Sequence, residues 1–427
     1  MTAHAVRTPS GRGIAMLTFL AACGGEPTPP PSPDPDLVEA TTVADQLGPA
    51  GAPVNAPPAV RVLTTDGRPV PGVTVRFAAT GSTVTPSSAV TDADGTAGVV
   101  EWRLGTGPAR LEATVTGLPA AVFLAEGRPR TFDLAVRWLT PPSAEAQLAV
   151  TEAVAYFEKL IWDDLPDQNV VATPVCPLPG VGPAATIDES VDDVLILAQV
   201  GPIDGLGGAG AQGFPCLIRD PGTQTIVGFV RFDEAEFGVI GPDLRREFVL
   251  HEMVHALGLV PGVINITTPS GFVRACLKLP SSGPPNQQVQ DSHFACDGAR
   301  AGFDRIGGAR YPGAKVPLEN GATMALTANT LNHHWRKTSL RNELMTGWFT
   351  SGVPAPLSLV TAGALQDLGY SVSLAAAHPF SLDGTIAPAT DATPRAEIRL
   401  LEPTTTPPPL FLGRGPRPTD GTPKRAW

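Results

Sequence analysis

Basic residues are scarce in this chain: 30 lysines and arginines stand against 41 aspartates and glutamates, a formal net charge of −11. Nothing in it neutralises phosphates in a cluster, which excludes nucleic acid as a partner. Charged residues of both signs amount to 17%, under the quarter usual for globular chains. Only five cysteines occur, Cys23, Cys176, Cys216, Cys276 and Cys296, and no two make a CxxC pair. A cysteine-built zinc site is therefore not expected. Acidic residues are missing before Glu26. Arg7 and Arg12 precede the apolar run Gly13 to Ala22, which is too short to span a bilayer and reads as a secretory signal over residues 1–22. Prolines and glycines are plentiful, 47 and 45, as in an exported chain of loops and short strands joined by linkers. The length allows two or three domains.

The signal ends in Leu20-Ala21-Ala22-Cys23, which resembles the lipobox of bacterial lipoproteins. The resemblance implies cleavage before Cys23 and diacylglycerol on its thiol. With Gly24 next, it also implies an outer-membrane or cell-surface address, held to the membrane by an N-terminal lipid anchor. Residues 23–36, which include "GGEPTPPPSPDPD", form an extended tether. With Cys23 on lipid four cysteines remain, and an even remainder in an exported chain predicts two disulfides. Cys176 is expected to pair with Cys216 and Cys276 with Cys296, because each pair lies within one contiguous segment. Residues 376–427 contain His378 and close on a proline-rich stretch from Glu402; they are expected to be a disordered tail.

Between 37 and 128 apolar residues alternate with period two. Val73, Val75 and Phe77 are expected to face one way, as are Val100, Trp102 and Leu104, and Leu111, Ala113 and Val115, with Asp66-Gly67 and Asp94-Gly95 at turns. Short strands at this spacing predict a β-sandwich. "DGRPVPGVTVRFAAT" and "TDADGTAGVVEWRLGT" resemble the bacterial immunoglobulin-like repeats of invasin- and intimin-type adhesins. That resemblance implies a spacer or an adhesive unit.

From 131 to 375 the pattern changes. "SAEAQLAVTEAVAYFEKLIW" places Leu148, Val154, Phe157 and Ile161 near helical spacing, and "TIVGFVRFD" reads as a strand. Pro242 then fits the first turn of a helix and Gly258 its stop. Within that helix "HEMVHALG" sets His251 and His255 four residues apart, on one face, so that both imidazoles can reach one metal ion. Phe248, Val254 and Leu257 are expected on its core face, and Arg245, Arg246 and Glu247 on a solvated one. Glu252, between the histidines, is placed to take a proton from a metal-activated water and pass it to a leaving amine. A catalytic zinc requires a third protein ligand. In the compact pattern of the metzincin family, which "HEMVHALG" resembles, a histidine stands three residues past the glycine; here that position is Pro261, so the ligand must come from farther on, among His293, His333, His334 and His378.

"HEMVHALG", followed after a long insertion by "NHHWRKTSLRNELMTG", resembles the leishmanolysin-like metallopeptidases, a metzincin branch. The resemblance extends to "DDVLILAQV", "VGFVRFDEAEF" and "PLSLVTAGALQDLGYSV" and covers about 131 to 375. It implies His334, before Trp335, as third ligand, His333 as a surface or outer residue, and Met345 in a turn beneath the zinc that Glu343 stabilises. The segment from 259 to 332 departs from the family. The expected architecture is multidomain, an all-β immunoglobulin-like sandwich followed by an α+β metzincin-type zincin domain. The expected function is a surface-anchored zinc metalloendopeptidase with one catalytic Zn2+ that hydrolyses protein or peptide substrates. The alternative is a catalytically silent adhesin that keeps a peptidase-like fold.

Overall fold

The computed structural model describes residues 33–176, 185–280, 291–319, 331–350, 352–382, 397–399 and 410–413. The signal, Cys23 and most of the tether lie outside the described residues.

Ten strands build the first unit: β1 (Leu37–Ala40), β2 (Asp45–Pro49), β3 (Ala59–Leu63), β4 (Thr74–Thr80), β5 (Ser82–Thr85), β6 (Ser88–Val90), β7 (Thr96–Gly98), β8 (Glu101–Leu104), β9 (Gly107–Thr114) and β10 (Ala121–Arg128). They form the sheets β1-β3-β7 and β2-β10-β9-β4-β6, and β5 pairs with β8. All pairs are antiparallel except β2 with β10. Alternate residues from both sheets, including Val60, Val62, Val75, Phe77, Trp102, Leu111 and Phe123, meet in one core, as a β-sandwich requires. Gly67 and Gly95 both have positive φ at the expected turns. Val100 differs from expectation. It is 78% exposed, because β8 starts one residue later and the alternation begins there.

The second unit runs through β11 (Leu134–Trp138), α1 (Ala144–Leu160), β12 (Gln168–Val175), β13 (Ala185–Val191), β14 (Val194–Gly201), β15 (Ala211–Asp220), β16 (Thr225–Asp233), α2 (Glu234–Val239) and α3 (Pro242–Ala256). The sheet order is β11-β14-β16-β15, parallel except for β15 against β16. Period-two alternation divides its two faces. Ile196, Ala198, Val230 and Phe232 share a core with α1 and α3, whereas Leu195, Leu197, Val227 and Phe229 share another with the β12–β13 hairpin. The buried stripe of α1 is Ala146, Ala149, Val150, Ala153, Phe157 and Leu160. Leu148 lies on the opposite side of the helix from this stripe and is 57% exposed, contrary to expectation. Pro242 is the first residue of α3. Pro242–Ile264 is apolar enough to pass for a membrane span, but 89% of the tested window is buried inside the fold, which accounts for its apolarity.

Two glycines seat α3 on the sheet. A Cβ on Gly213 of β15 would lie 2.2 Å from the Glu252 carbonyl oxygen, and one on Gly228 of β16 would lie 3.1 Å from that of Ala256. The helix backbone thus rests directly on the strands.

The segment from 259 to 332, where described, is folded. It contains α4 (Pro261–Ile264), a hairpin of β17 (Asn265–Thr267) and β18 (Val273–Ala275), a pair of β19 (Leu277–Lys278) and β20 (His293–Phe294), and α5 (Asp297–Arg305). The structure pairs Cys276 with Cys296 here and Cys176 with Cys216 beside the sheet. Closing loops of this length stabilises by about 3 to 4 kcal/mol each on the chain-entropy account. Then follow α6 (Lys337–Leu340), β21 (Trp348–Thr350) and α7 (Leu359–Asp367). Gly298 and Gly363 bring α5 and α7 into backbone contact, and the Asp367 carboxylate accepts from the Gly298 and Ala299 amides at 2.8 Å, capping α5.

The expected disordered tail differs in three described stretches. Leu382 is buried and donates its amide to Ile306, β22 (Glu397–Arg399) pairs with β21, and β23 (Leu410–Gly413) adds to the edge of β15. These stretches find backbone partners that proline-rich composition does not announce. The two units also touch. Asn55, in a sandwich loop pinned by reciprocal Gln46–Ala56 hydrogen bonds, donates to the Val372 carbonyl at 2.7 Å and accepts from the Leu374 amide at 2.9 Å.

Because neither backbone at the Gly213 contact can give way, Gly213→Ala is expected to displace α3 and destabilise by about 1 to 3 kcal/mol. Gly262→Ala, whose added carbon would meet nothing within 4 Å, is the control. Equal thermal unfolding midpoints for the two variants would contradict the close seating.

Candidate metal centre

Helix α3 carries His251 and His255 one turn apart, both fully buried. Gly258, at φ +116, ends the helix in a conformation glycine adopts at no steric cost. The turn brings the Leu259 carbonyl back to His255 Nδ1 at 2.8 Å, and His251 Nδ1 meets the Leu344 carbonyl at 2.7 Å. A carbonyl only accepts, so each Nδ1 carries the proton and each Nε2 presents a lone pair. Burial pushes His251 down to about 3 and His255 well below the usual histidine value. Both imidazoles are therefore neutral at pH 7, the form that ligates a metal.

His334 follows a turn at residues 331–333. Asn332, at φ 69, supplies a left-handed residue that asparagine tolerates. Trp335 then bridges Leu318 on one side and Thr346 on the other, and Trp335 donates its amide to the Met345 carbonyl at 2.8 Å. The result is a triangle of nitrogens. Nε2 of His251 lies 3.0 Å from that of His255, and His334 Nε2 lies 3.1 Å from each.

This donor set fits a zinc ion. Neither His251 nor His255 has a hydrogen to share across the 3.0 Å between their Nε2 atoms, so a cation bound between them would make the juxtaposition favourable. Zinc–nitrogen bonds of about 2.0–2.1 Å in tetrahedral geometry separate the nitrogens by about 3.3 Å, close to the observed spacing. His251, His255 and His334 are the one all-histidine group among the described residues able to hold a metal; the other cluster, Asp164, Asp192 and Asp193, is carboxylate only. Burial pushes Asp193 up to about 7.

Met345 lies fully buried in the turn that follows. That turn is organised by Glu343, whose carboxylate accepts from the Met345 amide at 2.7 Å, the Ser358 amide at 3.0 Å and hydroxyl at 2.8 Å, and the Thr361 hydroxyl at 2.6 Å. Burial raises the Glu343 carboxyl, and these hydrogen bonds pull the other way. By fixing the turn, Glu343 positions the Leu344 carbonyl that holds His251. Phe349, on β21, stands edge-on to the His251 ring with centroids 5.6 Å apart. Trp335 donates from Nε1 to Thr361 at 2.8 Å.

Glu252 is fully buried next to His251. His333 stays outside the triangle, and it is buried where a surface position was one expectation. Its Nδ1 donates to the Leu331 carbonyl at 2.9 Å, and its ring lies 5.5 Å from that of His255. His293 sits on β20 and donates to the Asp291 carbonyl. His378, expected in a loose tail, accepts the Leu357 amide at 3.2 Å and lies against Tyr156. Glu247, expected on the solvated face, is buried and accepts from Ala355 at 2.8 Å. The positioning carbonyls of Leu259 and Leu344 carry no side-chain signature. Glu319, whose amide donates to the His334 carbonyl at 2.9 Å, could have been suspected from its place beside the apolar alternation of Val316 and Leu318.

No family model and no curated protein matches the chain. Among solved structures it is similar to the D0–D1 domain of intimin, at 23% identity over 21% of this chain and 47% of that chain, with a TM-score of 0.17. It is also similar to a C-terminal fragment of intimin in complex with the intimin-binding domain of the translocated intimin receptor, at 18% identity, 24% and 43% coverage and a TM-score of 0.18. A third likeness is to the β-glucuronidase of Parabacteroides merdae, at 11% identity, 22% and 13% coverage and a TM-score of 0.19. The chain thus spans less than half the length of the intimin structures. Likeness at this level assigns neither a partner nor an activity to the chain.

Proposed function

We propose that the chain is a zinc metalloendopeptidase. The supporting observation is the convergence of three Nε2 atoms within 3.1 Å of one another, two of them bearing lone pairs because backbone carbonyls hold the opposite protons. On this reading residues 131–375 are a leishmanolysin-like metzincin domain, with His251, His255 and His334 as ligands. The sandwich is an intimin-type spacer, and Cys23 is the lipidated residue that holds the protein at the outer membrane or cell surface.

When bound, zinc lowers the pKa of a coordinated water to about 7 and polarises a carbonyl. The chain supplies the rest. Glu252, about 100° around the helix from His251, takes the water's proton and delivers it to the departing amine, so a peptide bond and a water become an acid and an amine with no net change in protons. The carbonyls of Leu259 and Leu344 keep two imidazoles in the ligating tautomer and fix their rings. The Met345 turn supports this arrangement from below without touching substrate.

Glu252→Gln is expected to retain stoichiometric zinc while hydrolysis of an unfolded protein such as casein falls by about 10²- to 10⁴-fold. Near-normal hydrolysis would remove Glu252 from its role. Zinc in the unaltered chain without chelator-sensitive cleavage would favour a binding protein on a peptidase fold.

His334→Ala is expected to lose most bound zinc and all hydrolysis. His333→Ala should lose at most the 10- to 100-fold typical of an outer residue. Metal content of the two variants, purified side by side, decides the third ligand, and the opposite pattern reverses the assignment.

A further inference from the structure

The segment across from the third histidine holds a residue that the proposed reaction does not use. Leu318 and Trp335 form an antiparallel bridge, flanked by hydrogen bonds from Glu319 N–H to the His334 carbonyl at 2.9 Å and from Arg336 N–H to the Pro317 carbonyl at 3.0 Å. This register sets Glu319 directly opposite His334. The Asn332 amide donates to the Glu319 carbonyl at 3.0 Å, and the side chains of Glu319 and His334, one residue on from the buried Leu318–Trp335 bridge, are both fully buried.

Glu319 is fully buried. Its Oε1 accepts the Lys337 amide at 2.5 Å, and its Oε2 has no hydrogen-bond partner among the described residues. An interior carboxylate oxygen left in this state is costly, unlike the carboxylate of Glu343, which is saturated by donors. A divalent ion held by three neutral imidazoles adds two positive charges to the interior, which a nearby carboxylate offsets.

We propose that Glu319 is a positioning residue for the third ligand, holding the backbone on both sides of His334 and placing a negative charge beside the metal cluster. This rests on the reading of the three histidines as a metal site, and not on the reaction that follows.

Cobalt(II) is the probe, read by its visible absorption and by competition with a chelator on the full chain. Glu319→Gln keeps an acceptor for the Lys337 amide and removes the charge; it is expected to weaken cobalt binding by about 10- to 100-fold and to shift the visible bands, with the unfolding midpoint of the metal-free protein unchanged. Glu319→Ala should weaken binding at least as much. Wild-type affinity and spectrum in the glutamine variant would overturn the proposal while leaving the metal site intact. So would a loss of affinity matched by a lower midpoint of the metal-free protein. A wild-type chain that takes up no cobalt would sink the metal site itself, and the proposal with it.

Discussion

Three imidazole nitrogens converge within 3.1 Å of one another, and much of the surrounding structure holds them there. The constraint is carried by backbone. The Leu259 carbonyl reaches His255 because Gly258 reverses the chain in a left-handed conformation. The Leu344 carbonyl reaches His251 because Glu343 ties the following turn to Ser358 and Thr361. The helix that presents both histidines is fixed in height by Gly213 and Gly228, where strand and helix backbones touch. Few of these contacts involve a long side chain that could adjust. The geometry is therefore held by the protein itself, as a preorganised metal site would require.

The polar interior follows the same logic. Glu343 is fully enclosed yet meets several donors, and Asp367 is spent on the first amides of α5. Both carboxylates are thereby converted from a cost into a fixed point for the backbone they hold. The Cys276–Cys296 disulfide acts on the other side of the problem, by limiting the freedom of the long segment between the helix and the third histidine before folding.

The parts legible in the sequence were those with local periodicity. His251, Glu252 and His255 stand at helical spacing, bounded by Pro242 and Gly258, and the sandwich strands show their alternation at Val75, Phe77, Leu111 and Ala113. His334 lies far along the chain, and only resemblance separated it from His333, since two adjacent histidines look alike without register. The misread positions share one cause. Val100 precedes its strand, Glu247 is covered by the loop whose Ala355 amide it accepts, and Leu148 falls on the far side of α1 from its buried stripe; in each the neighbouring element, not the local apolar pattern, decides exposure. The carbonyls of Leu259 and Leu344 were invisible because every residue has one. The strand pairings at 397–399 and 410–413 escaped notice because a short partner strand needs little sequence of its own.

One modest contact bears on how the two units are joined. Asn55 grips the loop between Val372 and Leu374 with both ends of its amide, and that same loop is stitched to the end of α1 through Ser371 and Trp162, and through Ser373 and Leu160. The two units are therefore joined at a second place besides the short connection near residue 130. The second junction runs from the Asn55 loop to the 371–374 loop and from there to the end of α1. The sandwich thus has a hold, through one amide, on the loop that backs the unit carrying the three histidines.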